Sequence, residues 1–159
     1  MNRDLIFVTG LLGAPIEKEA RKIADKKGFG LLSLDQEIQR DAGSSVQRLC
    51  MLMGEHEYRN REYKALQRIA EQHSGGGLVV FCGDGVLLDE MSRELIQKHT
   101  VFIVGEDMDN DALWRNASGK KDSWHAFLYF GTQQERRQAF DALIQRQRRL
   151  YETELRRET

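Results

Sequence analysis

Leu5-Ile6-Phe7-Val8-Thr9-Gly10-Leu11-Leu12-Gly13-Ala14-Pro15-Ile16-Glu17 is the stretch that decides the fold. Its first five residues form a short apolar run closed by Gly10, the pattern of a buried strand. From Ile16 to Lys27 the spacing turns helical: Ala20, Ile23 and Ala24 share one face, and Gly28 supplies a stop. A strand, a glycine-bearing turn and a helix, in that order, is the setting in which backbone N–H groups and a helix dipole cradle phosphates.

Outward from this unit the alternation continues. Leu78 to Cys82 and Thr100 to Val104 read as further strands, each followed by glycine, and Leu31-Leu32-Ser33-Leu34 as a weaker fourth. Glu57 to Gln72 places Tyr58, Tyr63, Leu66, Ile69 and Ala70 at helical spacing, and Glu90 to Lys98 is a shorter helix. Strands alternating with helices predict a parallel sheet covered on both faces, an α/β protein. Gly75-Gly76-Gly77 reads as a flexible joint before a strand. No repeat or low-complexity tract interrupts the pattern.

The 159 residues suit one domain, 1–159, and 40% apolar with 31% charged residues is a globular mixture. A formal net charge of -1 provides no global field for nucleic acid or a membrane, so neither is expected as a partner. Cys50 and Cys82 have no metal-binding spacing and read as free thiols in a reducing cytosol. No apolar run approaches the ~20 residues that cross a bilayer, and no signal peptide precedes the first strand, so a cytoplasmic location is expected. His56, His73, His99 and His125 show no ligand or triad spacing, receive no role, and no metal site is expected.

From about Gln133 to Arg156 runs a long helix with Phe140, Leu143, Ile144, Leu150 and Tyr151 as its apolar stripe. Arg136, Arg137, Arg146, Arg148, Arg149, Arg156 and Arg157 gather there. They read as a solvated face on a packed terminal helix, with a protein-docking helix as the alternative. Trp124 and Phe127, flanking His125, read as core packing, with an exposed partner contact as the alternative.

The first loop carries the chemistry. In Gly-x-x-x-x-Gly-Lys-Ser/Thr a lysine meets the terminal phosphates and a hydroxyl ligates magnesium. Here Gly10 holds the first glycine's place and Gly13 lies between, while Pro15, Ile16 and Glu17 stand where glycine, lysine and hydroxyl would be. Pro15 lacks an N–H, and Ile16 replaces a cation with hydrocarbon. Glu17 puts a charge where phosphate would sit. Two like charges about 4 Å apart repel by roughly 4 kcal/mol at an effective dielectric near 20. Proline at the first helical position and carboxylates in the first turn are also good helix starts, so the loop reads as satisfying its own helix end.

Across nearly its whole length the chain resembles shikimate kinase, which implies a three-layer α/β/α P-loop fold of the nucleoside-monophosphate-kinase type with a central parallel sheet. Val8 to Ala14 is similar to that family's first strand and half its loop. Leu32 to Ile38 resembles its Asp-x-Asp segment: the magnesium-placing aspartate is Ser33 here, and the aspartate that binds substrate hydroxyls is kept as Asp35. Ala42-Gly43-Ser44-Ser45-Val46 matches a turn before substrate-binding helices, which the resemblance spreads over about 35–75. Gly54-Glu55-His56-Glu57-Tyr58-Arg59-Asn60-Arg61-Glu62 resembles Gly-Glu-x-x-Phe-Arg-x-x-Glu, in which arginine grips the substrate carboxylate and glutamate supports it, implying those roles for Arg59 and Glu62. Gly83-Asp84-Gly85 resembles the triple-glycine loop that closes over substrate, with Asp84 in place of the middle glycine. The adenine-side arginine falls near Trp114 and Arg115. The lid falls at about 116–131, without its Arg-Pro pair, and Lys120 or Lys121 is the substitute in charge. Gln147-Arg148-Arg149-Leu150-Tyr151 resembles Arg-x-Pro-Leu-Tyr, with Gln147 at the carboxylate-binding arginine.

The function this implies is a shikimate-kinase-like protein without Mg-ATP as cofactor, its Asp35 an idle base, acting by binding shikimate, a similar hydroxy-acid or a protein partner. The alternative is an active shikimate kinase, or a related small-molecule kinase, using Mg-ATP in a rearranged phosphate site.

Overall fold

The computed structural model describes residues 4–121, 123–153 and 155. Arg156 and Arg157, and residue 122 of the expected lid, lie outside the described residues. Four strands form one sheet in the order β2-β3-β1-β4. They are β1 (Leu5–Gly10), β2 (Gly30–Ser33), β3 (Leu78–Phe81) and β4 (Thr100–Val104). Every pairing is parallel, with Val8 opposite Phe81 on one side of β1 and Gly10 opposite Val104 on the other. β1 lies inside the sheet, so both its faces are covered and all six of its residues are buried. That is why its sequence is a continuous apolar run and not an alternation.

The helices are α1 (Ile16–Lys27), α2 (Leu34–Ala42), α3 (Val46–Met53), α4 (Glu55–Gln72), α5 (Glu90–Ile96), α6 (Asn110–Ser118) and α7 (Gln133–Thr153). Ala20 and Ala24 of α1 pack on Ile6, Val8 and Val79 at one face of the sheet. Leu5, Phe7 and Val80 belong to the larger core, which also takes Ile38, Leu66, Ile96, Leu113 and Ile144 from the remaining helices. Two faces covered by helices give the three-layer α/β/α arrangement.

The element boundaries show where local chemistry outweighs hydrophobic pattern. Leu34, read as the end of a strand, is instead the first residue of α2, because the Ser33 hydroxyl accepts the Gln36 N–H at 3.2 Å and caps the helix there. Ser45 caps α3 in the same way, at 3.1 Å from the Arg48 nitrogen. α4 begins at Glu55, two residues before the hydrophobic spacing indicates, since its first turn is polar. Gly77 is closely packed: a Cβ there would run into the Phe29 ring, and its carbonyl accepts the Gly30 N–H at 3.0 Å, so the glycine run is no free joint at its strand end.

Candidate functional site

The carboxyl ends of the strands converge on one region, the place where open parallel sheets hold their ligands. Here β1 delivers the loop Gly10–Glu17, β2 delivers Ser33 and Asp35, and β3 delivers Gly83-Asp84-Gly85.

The loop's backbone is tied into the fold. Leu11 N donates to Val104 O at 3.1 Å, Ala14 N to Leu11 O at 2.9 Å and Ile16 N to Ala14 O at 2.9 Å. Leu12 N donates to Gln147 Oε1 at 3.0 Å, a contact that reaches across 135 residues to the terminal helix. Tyr151, one turn further along α7, donates its hydroxyl to Gly10 O at 2.7 Å. Gly13 adopts φ 93°, and a side chain there would meet the Leu113 carbonyl of α6. Asn116 of α6 donates to Gly13 O at 3.0 Å. Pro15 is the residue before the helix and not its first member; Ile16 takes that position. Glu17 points to solvent and pairs with Arg21 at 3.3 Å.

On α4, Arg59 sits between carboxylates: Nη1 donates to Glu62 Oε1 at 2.7 Å and Nη2 to Glu55 Oε1 at 3.2 Å. Glu62 is fully buried. Burial pushes its carboxyl up to about 7, against the pull of Arg59. For Arg59 itself burial works against the charge, but Glu62 outweighs it and the guanidinium is held above its ordinary value. The guanidinium also lies over the rings of Tyr58 and Trp124, each at 5.2 Å. Gly85 lies so close to Arg59 Nη2 that any Cβ would collide with it. A side chain at this place would have to displace the guanidinium from its present position. Asp35 accepts the Tyr58 hydroxyl at 2.6 Å, and burial raises its carboxyl.

Asp84 is turned inward. Its carboxylate meets His125 Nε2 at 3.1 Å and Gln147 Nε2 at 2.9 Å, and its carbonyl lies 3.0 Å from the Tyr151 hydroxyl, whose one proton is shared with Gly10 O. Burial pushes the carboxyl up, but His125, Gln147 and Arg59 outweigh it and hold it below the usual carboxylate range. Gln147, expected at the place of the family's carboxylate-binding arginine, is fully buried and joins the loop to Asp84 through both ends of its amide. His125, given no role, is buried against Asp84. No spacing signal could have found it, because its partner is 41 residues away.

Trp124 and His125 stack on one another at 4.0 Å, and Trp124 meets the Tyr58 ring edge-on at 5.3 Å. This pair of lid residues stands between two cavities. The larger, about 730 Å³, has Arg59, Leu143, Arg146 and Phe127 among its walls. The smaller, about 440 Å³, has the loop from Leu11 to Lys18, together with Asp35 and Lys120. Asp84, Trp124 and His125 line both. Asp35 lines the smaller cavity and Arg59 the larger, on either side of these shared residues. Lys120 reaches the loop's cavity whereas Lys121 is not among its walls. Arg148 is spent on the carbonyls of Glu106 and Met108, at 3.1 and 2.7 Å. Trp114, partly buried, packs edge-on against Phe140 at 5.2 Å on the edge of the core.

A parallel sheet whose first strand runs through a tied turn into α1, with α2–α4 folded over the strand ends, defines an α/β protein of the P-loop, nucleoside-monophosphate-kinase-like type. The chain belongs to the shikimate kinase family, whose model matches residues 19–156, opening just past Glu17. Shikimate kinases from Chlorobaculum tepidum and Rhizobium leguminosarum are 34% identical over 102 residues and 33% identical over 122 residues. These alignments cover 64% and 77% of this chain, and 52% and 59% of those proteins. The chain spans about half the length of the first curated relatives it matches. Among solved structures, a shikimate kinase from Acinetobacter baumannii in complex with shikimate superposes with a TM-score of 0.79 at 21% identity, over 99% of this chain and 84% of that one. One from Bacteroides thetaiotaomicron gives 0.78 at 21% identity, over 93% and 81%. These likenesses show the fold.

Proposed function

We propose that this member of the shikimate kinase family does not bind Mg-ATP and acts by binding a small molecule or a protein. One observation carries the reading: several of the loop's backbone donors are spent within the fold. Leu12 N is taken by Gln147, Ala14 N by Leu11 O and Ile16 N by Ala14 O, and Pro15 has none. A phosphate-binding loop works by leaving such donors open to the anion. The residues present therefore do not fit Mg-ATP. Ile16 offers no cation, and Ser33, at the magnesium aspartate's place, uses its hydroxyl to cap α2. Phosphoryl transfer consists almost wholly of positioning and neutralising phosphates, so a site without those groups has little with which to catalyse it. Isothermal titration with Mg-ATP tests this. We expect no binding heat at nucleotide concentrations on the order of millimolar, and a magnesium-dependent affinity near the micromolar range would overturn the reading.

A second reading has its own support. Lys18 and Lys120 both line the cavity beside the loop, where they put cations near Asp35. In an active kinase with a rearranged phosphate site, shikimate phosphorylation would be measurable and both Lys120→Ala and Asp35→Ala would abolish it.

A further inference from the structure

The sheet has two edges, and they are finished differently. β2 is four residues long and runs from Gly30 straight into the Ser33 cap of α2, so it offers little backbone to a neighbour. β4 forms the other edge with five residues, Thr100-Val101-Phe102-Ile103-Val104, and among the described residues it pairs with β1 alone. Edge strands are ordinarily protected from joining other sheets by a charge, a proline or a bulge. β4 carries no charge and no proline, its register with β1 is unbroken, and its residues are β-branched or aromatic. Phe102 is 41% exposed on it. The backbone shows which polar groups face outward. Val104 accepts the Leu11 N–H at 3.1 Å, so the even-numbered residues of the strand turn their peptide groups to β1. Val101 and Ile103 alternate with them and direct their N–H and C=O groups to the open edge.

We propose that this edge joins two copies of the chain, β4 of one lying antiparallel to β4 of the other. The strand is self-complementary in that arrangement. Centred on Phe102, the pairing sets Val101 opposite Ile103 and Thr100 opposite Val104 of the second copy, and it uses all five residues of each strand. Each Val101–Ile103 pair exchanges both of its hydrogen bonds, and the two Phe102 rings meet at the closer, non-hydrogen-bonded pair on the two-fold axis. Opposed residues are both even or both odd, so like faces of the two sheets stay together, which a slip of one residue would undo. Charge favours the same register. Lys98, exposed just before the strand, comes beside the turn of Glu106 and Asp107 just after it, and the two-fold axis makes that contact twice. A second copy is the occupant because this one segment supplies an uncharged strand and opposite charges at its two ends.

Sedimentation velocity of the whole chain tests this, at loading concentrations from about 5 to 500 μM. The weight-average mass is expected to rise from the 18.4 kDa of one chain toward twice that value. Phe102→Lys sets two like charges on the axis and is expected to raise the dissociation constant about tenfold or more. Circular dichroism checks that this exposed position leaves the fold intact. Lys98→Glu is expected to weaken the dimer about threefold, and adding Asp107→Lys to the same chain should recover the loss. Leu52→Lys, at an exposed apolar position on α3, should leave the constant unchanged. A mass that stays at 18.4 kDa across the range would overturn the proposal. So would a folded Phe102→Lys variant that dimerises like the wild type, a Lys98→Glu variant that is unaffected or not rescued, or loss of the dimer in Leu52→Lys.

Discussion

The loop Gly10–Glu17 and the α4 segment Tyr58–Glu62 line the same end of the sheet, yet their polar groups are used in opposite ways. In the loop the donors are backbone N–H groups, and interior acceptors take them: Gln147 for Leu12, Leu11 for Ala14, Ala14 for Ile16. On α4 the donor is a side chain, and the interior supports it without using it up. Glu62 braces Arg59 from below at 2.7 Å while the guanidinium stays on a cavity wall. The contrast teaches that a backbone N–H taken by an interior acceptor has no second proton to present, whereas a guanidinium can be both anchored and presented because its donors point in several directions.

The comparison can be broken most sharply at Arg59. Arg59→Ala strands Glu62 in the core without its cation, and a loss of about 3–5 kcal/mol in denaturant unfolding is expected. Adding Glu62→Gln should recover much of it, since the stranded charge is then gone. If the single variant unfolds like the wild type, the brace is not part of the folding energy.

Titration sharpens the same side. Glu62 sits at about 7 when folded against an ordinary 4.5, so the folded chain holds this proton more tightly than the unfolded one. Its contribution is complete below 4.5, shrinks as pH rises through the window up to about 7, and is absent above it, a change on the order of a few kcal/mol. Asp84 acts in the opposite sense: held below its ordinary 3.8, it stabilises above that value and the benefit is lost as pH falls through its folded value. Denaturation midpoints measured against pH should therefore fall across the Glu62 window, and Glu62→Gln should flatten that slope.

On the loop side the larger effect belongs to Gln147. Gln147→Leu leaves the Leu12 N–H buried without an acceptor and removes a donor from Asp84, for an expected loss of about 2 kcal/mol. Amide hydrogen exchange at Leu12 should accelerate with it, which a general packing defect in α7 would not single out. The smallest effect is expected at Glu17. Its pair with Arg21 is exposed on both sides, so Glu17→Gln should shift stability by no more than about 0.5 kcal/mol.

Much of the fold was legible because its signals are local. The apolar run Leu5 to Thr9, the face formed by Ala20, Ile23 and Ala24, and Gly28 as a stop need only neighbours in sequence, and the observed α1 runs Ile16–Lys27 as the spacing indicates. That Arg59 and Glu62 are neighbours was legible for the same reason, since residues three apart on a helix are adjacent, but spacing says nothing of the burial of Glu62. α3 and α6 left weaker marks, their starts set by the Ser45 and Asp109 caps and not by long apolar periods.

By itself, then, the sequence determined the order of strands and helices, the chemistry of the loop residues Pro15, Ile16 and Glu17, and the α4 pairing. All of these follow from propensity and spacing within a turn or two. Tertiary structure alone decided that Gln147 closes the loop from 135 residues away, that His125 meets Asp84, and that Trp124 stands between Asp35's cavity and Arg59's. Those contacts join elements distant in the chain, and their geometry is set by how whole helices pack on the sheet, which no local period encodes.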